Sequence, residues 1–250
     1  MACGGCGSGK TYTLQLVDKE QQNETTLSMS FINLEPFEWK AGDSAKVYVP
    51  IDGVMEGKKL SFVTLPDEKV IKFTTRIRTP ISDYKEAMES LKNGDLIEVS
   101  EPSGDFALVR DERPALLLSN GVGIAAVRTL IKDFEKDLSG VDALTQINVD
   151  STGDLYKEEL KDIEATTKSF KSIYVSHRTD FYQQMDFASQ DLMMVAGFIP
   201  YFYVVGSDDF VLDVTAHLMS IGFDESDIIT DGNGSGGGCG CSSSGGCGCS

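Results

Sequence analysis

The sequence predicts two domains in series: an antiparallel Greek-key β-barrel, and then an α/β domain with a parallel sheet. The first half of the chain contains short β-rich runs separated by turn residues. Beyond residue 115, strand patterns alternate with helical patterns, which is typical of a parallel sheet with crossover helices. A chain of 250 residues is long enough for two domains of ordinary size.

The runs of the first half contain β-branched or aromatic residues, and several alternate between polar and apolar positions. Gly, Asn, Asp or Pro separates them, which predicts an antiparallel barrel or sandwich with closed edges. A helix at about residues 82–92 interrupts the runs, with Ser82 as its N-cap and Gly94 as its stop. The predicted strands are residues 11–18, 26–32, 45–50, 60–65, 70–77, 95–100 and 106–108.

A polar segment at residues 111–114 is the predicted hinge, and a strand, a turn and a helix follow it. The apolar run from Ala115 predicts a buried parallel strand, and apolar residues at helical spacing predict an amphipathic helix from Ile124 to about Phe134. The further strands are predicted at residues 145–150, 171–176, 201–205 and 227–230, and the further helices near 154–166, 188–194 and 208–221.

The turn in that unit has the pattern G-x-G-x-x-A, formed by Gly121, Gly123 and Ala126. Glycine permits a tight turn and the close approach of a ligand, and free N–H groups at a helix start attract a pyrophosphate. The pattern therefore indicates a nucleotide site. A strand that simply turns into a helix also favours glycine, so the pattern alone leaves both interpretations open.

The charge of the chain limits its partners. The formal net charge is −17 at pH 7, which disfavours nucleic acid and anionic membranes because their phosphates would be repelled. Acidity also serves solubility by itself. No stretch approaches the ~20 apolar residues that cross a bilayer, and the start lacks a signal region, so we expect a soluble, cytoplasmic protein without a membrane partner.

All six cysteines lie near the ends of the chain, in the segment 1–9 and in a Gly/Ser-rich tail, 233–250, that is predicted to be disordered. Their spacing matches neither zinc ribbons nor plant-type ferredoxins. Paired thiolates bind soft metals, so one hypothesis is a metal or iron-sulfur centre, and the other is a flexible appendage. The candidate ligands are Cys3, Cys6, Cys239, Cys241, Cys247 and Cys249.

Four short motifs, in their order, resemble the ferredoxin-NADP reductase family. They are KKLS at 58–61, FTTRIR at 73–78, SNGVGI at 119–124 and YVVGS at 203–207, and the resemblance covers roughly residues 10–232. It implies a flavin-binding barrel domain at 10–110 and an NAD(P)-binding domain at 111–232. In such proteins the cofactors do the redox chemistry and the protein orients them.

The resemblance places the flavin on the barrel. Lys58 takes the position of the family's arginine at the flavin phosphates, and Leu60 takes that of an aromatic residue beside the ring. Ser61 takes that of the hydroxyl at ring atom N5, which makes it the candidate catalytic residue. Arg76 and Ser82, at the start of its helix, match the region that receives the diphosphate of FAD.

The resemblance places the nicotinamide dinucleotide on the α/β domain. Gly121 and Gly123 match the family's phosphate turn without its Thr-Pro, and Gly206 matches the glycine of a Cys-Gly-Pro motif near the nicotinamide. Asp150 follows the second parallel strand, where an acidic residue suits a ribose 2′-hydroxyl and repels a 2′-phosphate. The sequence therefore predicts NADH rather than NADPH, and the alternative is that Asp150 is only a solvated turn residue.

These observations predict a flavin-dependent oxidoreductase that transfers electrons between NAD(P)H and a one-electron carrier protein. The alternative is a redox-inactive or weakly active scaffold of the same family, whose cysteine termini bind metal or a partner. Leucine at position 60 and valine at position 205 favour the scaffold. The glycine turn and the KKLS string favour the enzyme.

Overall fold

Alternating buried and exposed side chains build the first sheet. In β1 (Thr11–Asn23), Tyr12, Leu14 and Leu16 are buried and the residues between them are not, so one face packs on the core. The structure is a computed structural model that describes residues 10–231. The other strands are β2 (Thr26–Asn33), β3 (Ser44–Ile51), β4 (Val54–Ser61), β5 (Ile71–Arg76) and β6 (Leu96–Ser100), paired antiparallel in the order β4-β3-β6-β1-β2-β5.

The two edges of this sheet approach each other, as the predicted barrel requires. After β4 the chain runs beside β5, where the Val63 amide donates to the Lys72 carbonyl at 3.0 Å. Helix α1 (Asp83–Ser90) packs Tyr84 and Met88 into the same core. The Tyr84 hydroxyl donates to the Val47 carbonyl at 3.0 Å, which fixes the helix against β3.

The second sheet is parallel throughout, as predicted. Its strands are β7 (Ala115–Asn120), β8 (Leu144–Val149), β9 (Phe170–Val175), β10 (Tyr201–Val205) and β11 (Ile228–Thr230), in the order β11-β10-β7-β8-β9. Helices α2 (Ile124–Lys136) and α3 (Lys157–Thr166) pack on one face. Helices α4 (Arg178–Ala196) and α5 (Asp208–Ser220) pack on the other.

The strand order of the second sheet reverses between β7 and β10. The chain moves outward from β7 to β8 and β9, and then returns to place β10 and β11 on the other side. At such a reversal the loops at the carboxyl ends of the two central strands diverge, which leaves a crevice where ligands bind in open α/β sheets. The loop after β7 contains the predicted glycine turn, and the loop after β10 contains Gly206.

Several predicted boundaries are wrong. The strand predicted at 60–65 is β4, which ends at Ser61, and the buried residues 62–65 form no strand. Residues 106–108 form no strand either, because Phe106 packs from a loop against Tyr203. Helix α1 ends at Ser90, so Gly94 is not its stop, and α4 begins ten residues before its predicted start.

Ser82 is the N-cap residue of α1, as predicted, but its side chain makes no capping hydrogen bond. The first sheet ends at Ser100 and the second begins at Ala115. The predicted domain boundary at residue 110 falls between these two positions and stays a prediction.

Buried polar contacts join the two sheets. Arg128 of α2 is 7% exposed and donates to the Val63 carbonyl at 2.5 Å. Its guanidinium also lies 2.7 Å from a Glu68 oxygen and 2.6 Å from a Glu159 oxygen. Burial alone lowers the pKa of Arg128, but the hydrogen bonds that it donates to the two carboxylates outweigh burial and raise the pKa, so the side chain stays charged.

We predict that Arg128→Met lowers the free energy of unfolding by about 3 kcal/mol, because it leaves two carboxylates at the interface without their cation. The measurement is urea unfolding at neutral pH. The control is Arg178→Met, which breaks the exposed ion pair with Asp213 and is expected to cost less than about 1 kcal/mol. Equal losses in the two variants would contradict this role of Arg128.

Candidate functional site

A crevice of about 430 Å³ opens between the two sheets, at the reversal of strand order. The barrel contributes the ends of β4 and β5, and the α/β domain contributes the loops after β7 and β10 together with Asp231. The residues that line it are Lys59, Leu60, Ser61, Thr74, Arg76, Arg78, Asn120, Gly121, Val122, Gly123, Ala125, Ala126, Val205, Gly206, Ser207 and Asp231.

The glycine turn packs too closely against its surroundings for side chains. Gly121 has a φ of +58°, and a Cβ there would lie 3.1 Å from a guanidinium nitrogen of Arg76. A Cβ on Gly123 would lie 2.7 Å from the Val205 carbonyl oxygen. Packing therefore requires glycine at position 123, and the positive φ favours it at position 121. Both glycines also leave the start of α2 open to the crevice without a side-chain cap.

Arg76 and Asp150 form an ion pair that joins the barrel to the α/β domain. The Arg76 guanidinium donates to one carboxylate oxygen of Asp150, and to the Thr152 hydroxyl at 3.1 Å. The other Asp150 oxygen accepts from the amide and the hydroxyl of Thr152 at 2.9 and 2.8 Å. Among the residues that the structure describes, the buried Nε of Arg76 has no hydrogen-bond partner.

Asp231, directly after β11, forms a second link across the crevice. Its carboxylate accepts from the Lys59 ammonium at 2.9 Å and from the Ser61 hydroxyl at 3.0 Å, and its side chain is only 4% exposed. The Ser61 hydroxyl thus uses its one donor hydrogen in the bond to Asp231, and its oxygen remains able to accept a hydrogen bond. The lysine and the carboxylate offset each other's charge beside the predicted catalytic hydroxyl.

Two lysines, Lys58 of β4 and Lys85 of α1, lie near the ring of Tyr84 in helix α1. The Lys58 ammonium is 5.1 Å from the centroid of the Tyr84 ring. The Lys85 ammonium donates to the Thr75 hydroxyl and lies 6.0 Å from the same centroid. Burial, and then the charge of Lys58, lower the pKa of Lys85 to about 8.

The structure brings most of the predicted site residues together. Leu60, Ser61 and Arg76 of the barrel face Gly121, Gly123 and Gly206 of the α/β domain. Lys58 and Ser82 are not in the crevice wall but lie on the barrel at β4 and at the start of α1. Asp150 lies behind Arg76 and contacts the crevice only through it.

Sequence reasoning missed Lys59, Arg78 and Asp231. Lys59 is the residue of the KKLS motif to which the family resemblance gives no role. Strand alternation places it on the same side of β4 as Ser61. The parallel sheet gives a signal for Asp231, since it follows the last strand as Asp150 follows the second, and the carboxyl ends of parallel strands share one edge.

The predicted cysteine ligands lie outside the described residues. Within residues 10–231, no group of three or more His, Cys, Asp or Glu side chains is arranged to hold a metal ion. In the same part of the chain, we find no helix with the length and apolarity needed to cross a membrane.

Comparison with curated proteins finds flavohemoproteins. That of Pseudomonas putida is 26% identical over 127 residues, which are 49% of this chain and 32% of that protein. That of Bacillus subtilis is 26% identical over 133 residues, 52% of this chain and 33% of that protein. The match thus spans about a third of the length of these relatives. No protein-family model matches the chain.

Comparison with solved structures finds the same two-domain fold. A flavohemoglobin from Malassezia yamatoensis with bound FAD and heme has a TM-score of 0.72 at 17% identity, over 88% of this chain and 59% of that chain. A ferredoxin-NADP+ reductase from Plasmodium falciparum has a TM-score of 0.72 at 16% identity, over 88% and 95%.

A ferredoxin-NADP+ reductase from Neisseria gonorrhoeae with bound FAD and NADP has a TM-score of 0.72 at 13% identity, over 90% of this chain and 99% of that chain. The resemblance that the sequence motifs indicate is therefore confirmed by the fold. The chain therefore has the fold of these reductases, with an antiparallel barrel followed by a parallel α/β domain.

Proposed function

We propose that this chain is a flavin-dependent oxidoreductase that passes electrons between a nicotinamide dinucleotide and a one-electron acceptor protein. The observation that supports this best is the crevice, in which the glycine turn of the α/β domain faces Ser61 and Arg76 of the barrel. A reductase with this fold contains both FAD and NADP, which supports the same pair of ligands here.

The barrel residues suit FAD. Leu60 offers an apolar surface to a ring, Ser61 offers a polar atom at the edge of that surface, and both line the crevice. Its diphosphate is negatively charged, and positive charge is available from Lys58 and Lys85 around Tyr84 and from the uncapped start of α1. A bound flavin would take two electrons from the nicotinamide donor and pass them one at a time to a one-electron acceptor.

The α/β residues suit a nicotinamide dinucleotide. The turn at Gly121–Gly123 and the start of α2 present backbone N–H groups to a diphosphate at the reversal of strand order. A Cβ on Gly206 would meet Asn120 and Phe210, so only glycine lets this loop lie close to the glycine turn. Arg76 and Arg78 add positive charge to the same wall.

Ser61 is the residue that we assign to positioning at the reacting ring. Because its proton is donated to Asp231, the Ser61 oxygen would act as an acceptor toward the N5–H that a flavin ring gains on reduction. The Lys59 ammonium donates to Asp231 at 2.9 Å and holds that carboxylate in place.

The first test is reconstitution of the purified protein with FAD. We expect the visible and near-ultraviolet absorbance bands of bound oxidised flavin, their bleaching by NADH without oxygen, and NADH-dependent reduction of ferricyanide. Failure to take up either FAD or FMN would refute the proposed function and support the scaffold alternative.

We predict that Ser61→Ala keeps flavin binding but slows reduction of the flavin by NADH about 10- to 100-fold, because the ring loses a positioned hydrogen bond. Anaerobic stopped-flow absorbance measures this rate. The matched control is Ser90→Ala, since Ser90 lies exposed at the end of α1. If Ser61→Ala reduces the flavin with NADH at the parent rate, Ser61 does not position the ring.

We propose NADH as the preferred coenzyme, because Asp150 at the end of β8 offsets the charge of Arg76, an arginine of the crevice wall that would otherwise attract a 2′-phosphate. Arg76 and Thr152 hold that carboxylate in place. We expect kcat/KM for NADH to exceed that for NADPH about tenfold or more, and Asp150→Asn to narrow the ratio. Asp154→Asn, in the same loop, is the control that leaves it unchanged. A higher kcat/KM with NADPH would overturn the preference.

We further propose that the acceptor is a neutral or basic protein, because the chain carries a net charge of −17. The cytoplasmic location and the metal or iron-sulfur centre on the terminal cysteines stay predictions from the sequence. Iron, zinc and copper analysis of anaerobically purified protein tests the metal centre, with a variant in which serine replaces the four tail cysteines as its control.

One observation favours the scaffold alternative. Asp150 and Asp231 already bind Arg76, Lys59 and Ser61, so much of the polar surface of the crevice is satisfied by the protein itself. If the chain is such a scaffold, added FAD leaves both the absorbance spectrum and the thermal unfolding temperature of the protein unchanged.

A further inference from the structure

We propose that Cys239 and Cys241 form an internal electron acceptor, a disulfide that is reduced at the crevice. The inference rests on the proposed function for its source of electrons, and it adds a two-electron acceptor that belongs to the chain itself. Both cysteines lie in the tail, outside the described residues, but Asp231, from which the tail starts, is described.

The tail starts inside the crevice. Asp231 is the last described residue, lines the crevice wall and is 7% exposed. Its amide donates to the Val204 carbonyl at 3.3 Å, and its carboxylate accepts from Lys59 and Ser61 at 2.9 and 3.0 Å. The start of the tail is therefore fixed beside the hydroxyl that we assign to positioning at the reacting ring.

The chain from Asp231 to the two cysteines is short. Cys239 follows Asp231 by eight residues and Cys241 by ten. A fully extended chain of these lengths reaches about 29 and 36 Å, and a Gly-rich segment of the shorter length is expected to span about 15 Å. A link of this kind gives an effective concentration on the order of millimolar, so we expect the pair to meet the crevice frequently.

The composition of the tail permits it to approach an acidic protein. Residues 232–250 contain only Gly, Ser, Cys and one Asn, so they bring no charge toward a chain whose net charge is −17. An acidic carrier protein would be repelled by the same chain. The glycines also add no side chains where space at the crevice is narrow.

The body of the chain supplies no thiol to the crevice. All six cysteines lie outside residues 10–231. Val205, at the position where the family resemblance places a cysteine near the nicotinamide, lines the crevice. Thiol chemistry at the reacting ring therefore has to come from a terminal segment, and the tail is the one that starts in the crevice wall.

The Cys-Gly-Cys spacing suits a disulfide that is readily reduced. Cysteines two positions apart have Cα atoms at most about 7 Å apart, and the glycine between them permits the bend that closes the bond. A disulfide in so small a ring is strained, and strained disulfides are the more oxidising and labile ones. In a reducing compartment such bonds are usually transient and catalytic.

The proposed step consumes one NADH and one disulfide. NADH loses a hydride and becomes NAD+, and the electron pair passes by way of the bound flavin to the sulfurs of Cys239 and Cys241. The sulfur–sulfur bond breaks and each sulfur gains one electron. The hydrogen of the hydride, released as a proton, and one proton from solvent complete the two thiols, so no further reactant is needed.

The test uses a variant that keeps only Cys239 and Cys241. It carries Cys3→Ser, Cys6→Ser, Cys247→Ser and Cys249→Ser. The air-oxidised variant is loaded with FAD and given NADH without oxygen, and its thiols are counted with a thiol reagent and by mass spectrometry. We expect two new thiols and the added mass of two hydrogen atoms per chain. The control, which also carries Cys239→Ser and Cys241→Ser, is expected to gain none.

The length of the segment between Asp231 and Cys239 tests the tether. Inserting about 24 Gly and Ser residues there makes it about four times as long and is expected to slow disulfide reduction about eightfold, because effective concentration falls with about the −3/2 power of length. Reduction of the flavin by NADH is expected to keep its rate in the same variant.

A readout without NADH tests whether the tail reaches the crevice. Val122→Cys places a thiol in the crevice wall, and the control Val195→Cys places one at the exposed end of α4, which packs on the other face of the sheet. With Cys239 as the one remaining tail cysteine, oxidation is expected to join it to position 122 in higher yield than to position 195. Peptide mass spectrometry measures both yields.

A flavin that NADH reduces while the thiol count stays unchanged overturns this proposal and leaves the proposed function intact. A tail whose thiolates hold a metal and form no disulfide in air does the same, as do equal crosslinking yields at positions 122 and 195. A protein that takes up neither FAD nor FMN overturns both.

Discussion

The N–H groups of a buried guanidinium need hydrogen-bond acceptors, and at Arg128 this requirement determines how the two sheets pack against each other. The acceptors come from the barrel, at Val63 and Glu68, and from α3, at Glu159. The helix that carries Arg128 begins at the glycine turn. The contacts that stabilise the interface therefore also hold the turn at a fixed place relative to Ser61 on β4.

The crevice that results has acidic groups on the α/β side and basic groups on the barrel side. Asp150 and Asp231 each follow a parallel strand, and each meets a cation from the barrel. Such pairs hold the walls together without a ligand, and the two charges of each pair offset each other. An anionic cofactor can approach it because these cations offset the surrounding carboxylates.

The sequence predicted the strand, turn and helix at 115–136 almost to the residue, since a continuous apolar run and a 3.6-residue period are strong local signals. It misplaced β4, because residues 54–59 are largely exposed and the mostly apolar residues 62–65 form a buried loop. The pairing of Asp231 with Ser61 lies beyond any local pattern, for it joins side chains that are 170 positions apart.

The position of Tyr84 has a consequence for how a ligand is received. Its ring packs in the barrel core, its hydroxyl is tied to a backbone carbonyl, and its face lies near two ammonium groups. Attraction between a cation and a π-face restrains flexible lysine side chains before any anion arrives. If the proposed flavin diphosphate binds there, less rotamer entropy is lost on association, because Tyr84 has already restrained the two lysines.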